Sequence, residues 1–182
     1  MAYYAIAPLL CMLVQRELYM HLYMHQIVTE PNLNQGGVVG PPNPNGFGST
    51  FVTNWLLANG PDPNATLIGR AEGILMKTSQ ANLDHWYSSM NFVFKDTRFS
   101  GSTLKVMGSV PQNGEMSIIG GTGQFVMAQG VVEHTIFNQD GHSRIYELNV
   151  HAFYTPMASS MVPGTGCNSW KLGASDVDTA VM

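Results

Sequence analysis

The sequence predicts an all-β protein, an eight-stranded antiparallel β-barrel, and three observations carry that prediction. Charged residues make up only 11% of the 182-residue chain and hydrophobic residues 45%. Disorder is thereby excluded, because it needs low hydrophobicity and high charge. Nineteen Gly and ten Pro interrupt the chain too often for a helical bundle. Short apolar runs of strand length recur between turn-forming residues, at the spacing of an antiparallel barrel or sandwich. One core suffices at this size.

The elements follow in order. Residues 1–17 form an apolar N-terminal segment, 18–156 the barrel domain and 157–182 a tail without strand alternation. Within the first segment, Tyr3 to Val14 has the apolarity of a short signal-peptide core, but lacks a basic flank and a small-x-small cleavage site. It is also too short to span a membrane, which takes about 20 residues. From Leu18 to Val28 the side chains alternate. Leu18, Met20, Leu22, Met24, Gln26 and Val28 share one face of a strand; Tyr19, His21, Tyr23, His25 and Ile27 share the other. Gln35 to Gly48 is a Gly/Pro/Asn stretch expected to be a long loop. Thr50 to Ala58 and Leu67 to Lys77 are the next strands, with Gly69 and Gly73 marking bulges or close backbone approaches. His85 to Phe94, Thr103 to Val110, Glu115 to Ile119, Gln124 to Phe137 and His142 to Tyr154 complete the eight. Gly120 to Gly123 is expected to be a tight turn. Eight closed strands leave an interior that side chains fill or that holds one small ligand.

Charge and motif arithmetic narrow the function. A formal net charge of −4 with eight Lys+Arg argues against nucleic acid, whose phosphates require clustered cations. Cys11 and Cys167 allow one disulfide or two free thiols. Asn64-Ala65-Thr66 is a glycosylation sequon, informative only for a secreted chain. His21 and His25 point the same way on a strand but lie about 13 Å apart, too far to share one ion. No metal site is expected. Gly120-Gly121-Thr122-Gly123 lacks the Lys-Ser/Thr and the helix of a phosphate loop. No nucleophile–base pair stands out, and Glu72 beside Arg70 is expected to be half of an ion pair.

The order of segments LYMHQIV, IGRAEGILM, HWYSSMNFVF, FSGSTLKVMG, MSIIGGTGQF, MAQGVV and YELNVHAFY resembles the plant dirigent family over Leu18 to Tyr154. It is most similar to the monocot dirigent domains often fused to jacalin-type lectins. Arg70, Gly73, Gly120, Gly121, Thr122, Gly123 and Phe125 match the family's structural motif. The resemblance implies a barrel of the dirigent and allene-oxide-cyclase type, a homo-oligomer (trimer or dimer), no cofactor, and secretion to the apoplast, with a cytoplasmic location as the alternative.

The resemblance also implies a role. Family members bind phenoxy radicals from monolignols such as coniferyl alcohol and orient their coupling, while a separate laccase or peroxidase performs the oxidation. A bias of about 1.4 kcal/mol between competing geometries already gives tenfold selectivity. The implied ligand-binding positions are Met24, Gln26, Gln124 and Gln129. The last three hold glutamine where many lignan-forming members carry Asp, Asp and Arg. An amide donates and accepts hydrogen bonds but transfers no proton, so the expectation is an orienting auxiliary protein, with cyclase or isomerase chemistry weakened. A second expectation, from another class, is a defence or stress interaction module derived from a dirigent–lectin fusion.

Overall fold

The computed structural model describes residues 15–40, 45–80, 85–110 and 112–155, and the backbone of 178–179. Tyr3 to Val14, Cys11, Cys167 and the tail, apart from that dipeptide, lie outside the described residues. The strands are β1 (Arg16–Ile27), β2 (Gln35–Val39), β3 (Thr50–Ala58), β4 (Leu67–Lys77), β5 (Trp86–Phe94), β6 (Thr103–Val110), β7 (Gly114–Thr122), β8 (Gln129–Gln139) and β9 (Ser143–Tyr154). Asp178–Thr179 (β10) lie parallel to Leu18 and Tyr19.

From β3 to β9 each strand pairs antiparallel with the next. β1 pairs along its whole length with β9. Tyr23, Met24 and His25 of β1 also pair with Ala58, Leu57 and Leu56 of β3. That contact closes eight strands, β1 and β3 to β9, into a barrel. They are the eight the alternation predicts.

The period-2 pattern decides what lies inside. On β1, Leu18, Met20, Leu22, Met24 and Gln26 are buried, while Tyr19 and His21 face out. Most of the barrel is packed solid. At one end Phe94, Phe99, Phe125 and Tyr154 interlock, with ring centroids 4.8–6.0 Å apart. This plug closes the end where β1 begins and β9 finishes. Offset and edge-to-face contacts of this kind add to the burial of the rings themselves. Gly73 permits the curvature: a Cβ there would lie 2.1 Å from the Ser89 carbonyl oxygen, so β4 and β5 approach as only glycine allows.

The structure corrects four expectations. Gln35–Val39, expected to be loop, forms strand β2 along β3 with an irregularity between Gly37 and Val39. Ladder bonds come from the backbone, so an edge strand needs no β-forming side chains. Asn34 prepares it: its side chain accepts from the Ile27 amide at 2.8 Å and donates to the His25 carbonyl at 2.9 Å. Secondly, Gly120 to Gly123 is not a tight turn. β7 runs through to Thr122, whose hydroxyl meets that of Thr103 at 2.7 Å. Thirdly, the strand expected from Gln124 begins at Gln129, because Gly123–Phe125 is a 3-10 turn. Gly123 enters it at φ 65°, and the turn drops Phe125 into the plug. Finally, Arg70 donates to the Asn54 carbonyl and side-chain oxygens at 3.4 and 3.3 Å, and not to Glu72.

Candidate functional site

Among the described residues, the barrel end opposite the plug is open. There β1 finishes, β3 and β5 begin, and the β8–β9 hairpin turns over at Asp140. A cavity of about 370 Å³ occupies this mouth, lined by Gln26, Gln35, Phe51, Leu75, Trp86, Arg144 and Tyr146 among others. That volume falls at the lower end of the range for small-molecule sites. β2 contributes its wall because β1 leaves the β3 edge after His25, and β2 fills the vacated edge from Gln35 and Thr53 onward.

The floor is polar but carries no charge. Gln26 Nε2 donates to Gln35 Oε1 at 2.8 Å, and Trp55 Nε1 donates to the same oxygen at 3.2 Å. Gln26 Oε1 and Gln35 Nε2 are left over by these bonds. The walls are aromatic. Trp55 stacks on Tyr146 at 6.2 Å and 20°, and His134, itself buried, meets Tyr146 edge-on. Phe51 and Trp86 lie 5.8 Å apart. Thr53 lies opposite Gln35 in the β2–β3 register, and its buried hydroxyl has no hydrogen-bond partner among the described residues.

Charge sits at the rim. Arg144 Nη1 donates to the Tyr146 hydroxyl at 3.0 Å, with the guanidinium 5.8 Å from that ring. Lys77, buried, donates to the Asn45 carbonyl and lies 5.9 Å from the Trp86 centroid. Among the described residues, Asp140 is the carboxylate that lines the cavity. Backbone amides of His142 and Ser143 bind its Oδ1 at 2.7 and 2.6 Å. These bonds, that from His142 foremost, hold its pKa below the ordinary carboxylate value. Asp140 is therefore ionised near neutrality and is no proton donor.

The four positions implied by the resemblance are not brought together. Gln26 lines the cavity, and Met24 lies beneath it on the same face of β1, fully buried and opposite Tyr146. Gln124 and Gln129 are at the plugged end, both exposed. Gln124 donates to the Arg98 carbonyl at 3.0 Å, while Gln129 faces Phe153 in the β8–β9 register. The turn that sends Phe125 inward sends Gln124 out. Among the motif residues, Arg70 lies on the outer surface beside Asn54, lining a wider groove of about 850 Å³ with His25, Leu33 and Val52. The two histidines of β1 part company: His21 pairs with Glu147 at 2.8 Å, and His25 meets the Gly60 carbonyl at 3.1 Å.

Sequence reasoning missed Gln35, Phe51, Trp55, Trp86, Arg144 and Tyr146. For the last two a signal existed. They share the inward register of β9 with Leu148, Val150 and Ala152, and an arginine in such a register marks the end of a barrel.

Comparison with known proteins agrees with this architecture. A family model described as Dirigent-like protein matches residues 18–153. The chain is 30% identical over 148 residues to pterocarpan synthase 1 of Glycyrrhiza echinata, covering 75% of this chain and 77% of that protein. It is 31% identical over 145 residues to dirigent protein 21 of Arabidopsis thaliana, covering 75% and 76%. The solved structure of the pterocarpan synthase dirigent protein GePTS1 superposes with a TM-score of 0.71 at 28% identity, covering 78% of this chain and 92% of that one.

Proposed function

The chain belongs to the dirigent family, and from that premise we propose that it binds phenoxy radicals or related phenolics in the open mouth of its barrel and biases the geometry of their coupling. The observation that carries this reading is the mouth cavity itself, a chamber walled by Phe51, Trp86 and Tyr146 over a floor of hydrogen-bonded amides. Aromatic walls hold a phenol ring by its faces. The unused Gln26 Oε1 accepts from a phenol hydroxyl and Gln35 Nε2 donates to a hydroxyl or methoxy oxygen, fixing which edge of the ring points outward. One unit is held inside while its partner arrives at the open end. In this reading the protein positions and a separate oxidase generates the radicals.

The walls and floor of the cavity shield a bound ring from water, which limits wandering side reactions. A preference of about 1.4 kcal/mol for one approach face gives tenfold selectivity. The reading also places the protein in the apoplast as a homo-oligomer working beside the oxidase. The test is oxidative coupling of coniferyl alcohol by a laccase with and without the protein, followed by chiral chromatography. An enantiomeric excess that rises with protein concentration supports orientation. Racemic product at stoichiometric protein defeats it.

A second reading is that the barrel itself turns over a closed-shell phenolic substrate, and the similarity to two pterocarpan synthases favours it. Product formation in the absence of any oxidase distinguishes this reading from the first.

A further inference from the structure

We propose that the mouth of the barrel selects aromatic ligands bearing a negative charge, with Arg144 as the specificity-determining residue. The inference rests on the functional reading above and adds the ligand's charge to it. The chain as a whole carries a formal charge of −4, yet the described residues of this rim have the opposite balance. Arg144 lines the cavity, and Lys77 lies over the ring of Trp86, which lines it too.

Among the described residues one carboxylate lining the cavity, Asp140, stands against these two cations. Its Oδ1 is occupied by the amides of His142 and Ser143 and by the Ser143 hydroxyl at 3.3 Å, bonds that shape the hairpin turn. No carboxylate lies within salt-bridge distance of Arg144 among the described residues. Arg144's hydrogen bond, to the Tyr146 hydroxyl, uses one of the five N–H groups of the guanidinium. That bond orients the planar fork at the edge of an aromatic wall. A guanidinium so placed matches a carboxylate or phenolate oxygen through charge-assisted bonds, and a carboxylate can engage it with two at once. A neutral alcohol at the same place gains a single weaker bond. The mouth therefore favours an aromatic acid, or a phenol ionised by its substituents, over the neutral alcohol of the same skeleton.

The experiment is a binding titration of the full chain with a matched pair, 4-hydroxy-3-methoxycinnamate and coniferyl alcohol, which share ring and side-chain length. Tryptophan fluorescence and calorimetry serve as readouts. The expected result is about tenfold tighter binding of the carboxylate, a margin that narrows as ionic strength rises. In Arg144→Gln the margin disappears because the carboxylate loses far more affinity than the alcohol, and Arg144→Lys retains part of it. Near-ultraviolet circular dichroism confirms that each variant keeps its packed barrel. Equal affinities in the wild type, or a margin that survives Arg144→Gln, overturn the inference and leave the orienting role intact. Failure of both ligands to bind removes the orienting role and this inference with it.

Discussion

The side-chain amide of Gln26 donates to Oε1 of Gln35 at 2.8 Å, joining two strands, β1 and β2, that share no backbone ladder. Both border β3, one leaving its edge as the other takes it up. The glutamine pair bridges that handover from inside. A position that could have been a gap in the barrel wall thus becomes the polar floor of the cavity.

Replacing Gln26 with Leu tests the floor. Gln35 Oε1 keeps its bond from Trp55, so no acceptor is orphaned and stability falls by only about 1 kcal/mol. Phenolic ligands lose a hydrogen-bonding partner, and their binding weakens about tenfold. Calorimetric titration with coniferyl alcohol, paired with a thermal melt of the same sample, checks both halves. Unchanged affinity in a folded variant shows that the floor does not touch the guest.

Gln124→Ala and Gln129→Ala are expected to behave differently. Both side chains are exposed at the plugged end, across the barrel from the cavity. Ligand affinity and coupling selectivity stay at wild-type levels in both variants, and stability moves by less than about 0.5 kcal/mol. A loss of selectivity in either would place the working site at the other end of the barrel.

These two outcomes bear on how far the sequence was legible. Alternation on a strand is a local property, so the inward faces of β1 and β9 could be read directly, and with them Met24 and Gln26. The orientation of Gln124 depends on a three-residue 3-10 turn entered through Gly123 at φ 65°. No period-2 rule foresees such a turn. Gln35 was hidden for another reason. Its strand is made by backbone pairing and by the Asn34 side chain, and a Gly-rich edge strand carries no side-chain pattern to read. Arg144 was legible by register alone; the resemblance to known family motifs pointed elsewhere.

Phe125 should be the most costly single truncation at the plugged end. Its side chain is fully buried and contacts Phe94, Phe99 and Tyr154, with centroids 4.8–5.3 Å away. Phe125→Ala removes a ring from the meeting point of three others and leaves a cavity no neighbour can fill without moving. The expected destabilisation is about 3–5 kcal/mol, which lowers Tm by on the order of 10 °C for a domain of this size. Differential scanning calorimetry measures it. Ligand binding at the far mouth, assayed well below the new Tm, remains close to wild type, since plug and cavity occupy opposite ends of the barrel.

Asp140 supplies a pH-dependent term whose sign can be worked out. Its native pKa lies below the ordinary value of 3.8, chiefly because the His142 amide, joined by that of Ser143, stabilises the ionised form. A carboxylate with a depressed native pKa adds stability that is present above the unfolded pKa and lost as pH falls through the native one. Asp140→Asn keeps an oxygen for those amides but gives up the charge. Wild type is therefore the more stable protein at pH 7, and the two melting curves converge as the buffer is taken below about pH 3.8. The carboxylate is exposed, so the difference is small and shrinks further with added salt. Denaturant titrations of both proteins at pH 7 and at pH 3 check the direction. A gap that widens in acid would mean that the turn at the rim is held by something other than this charge.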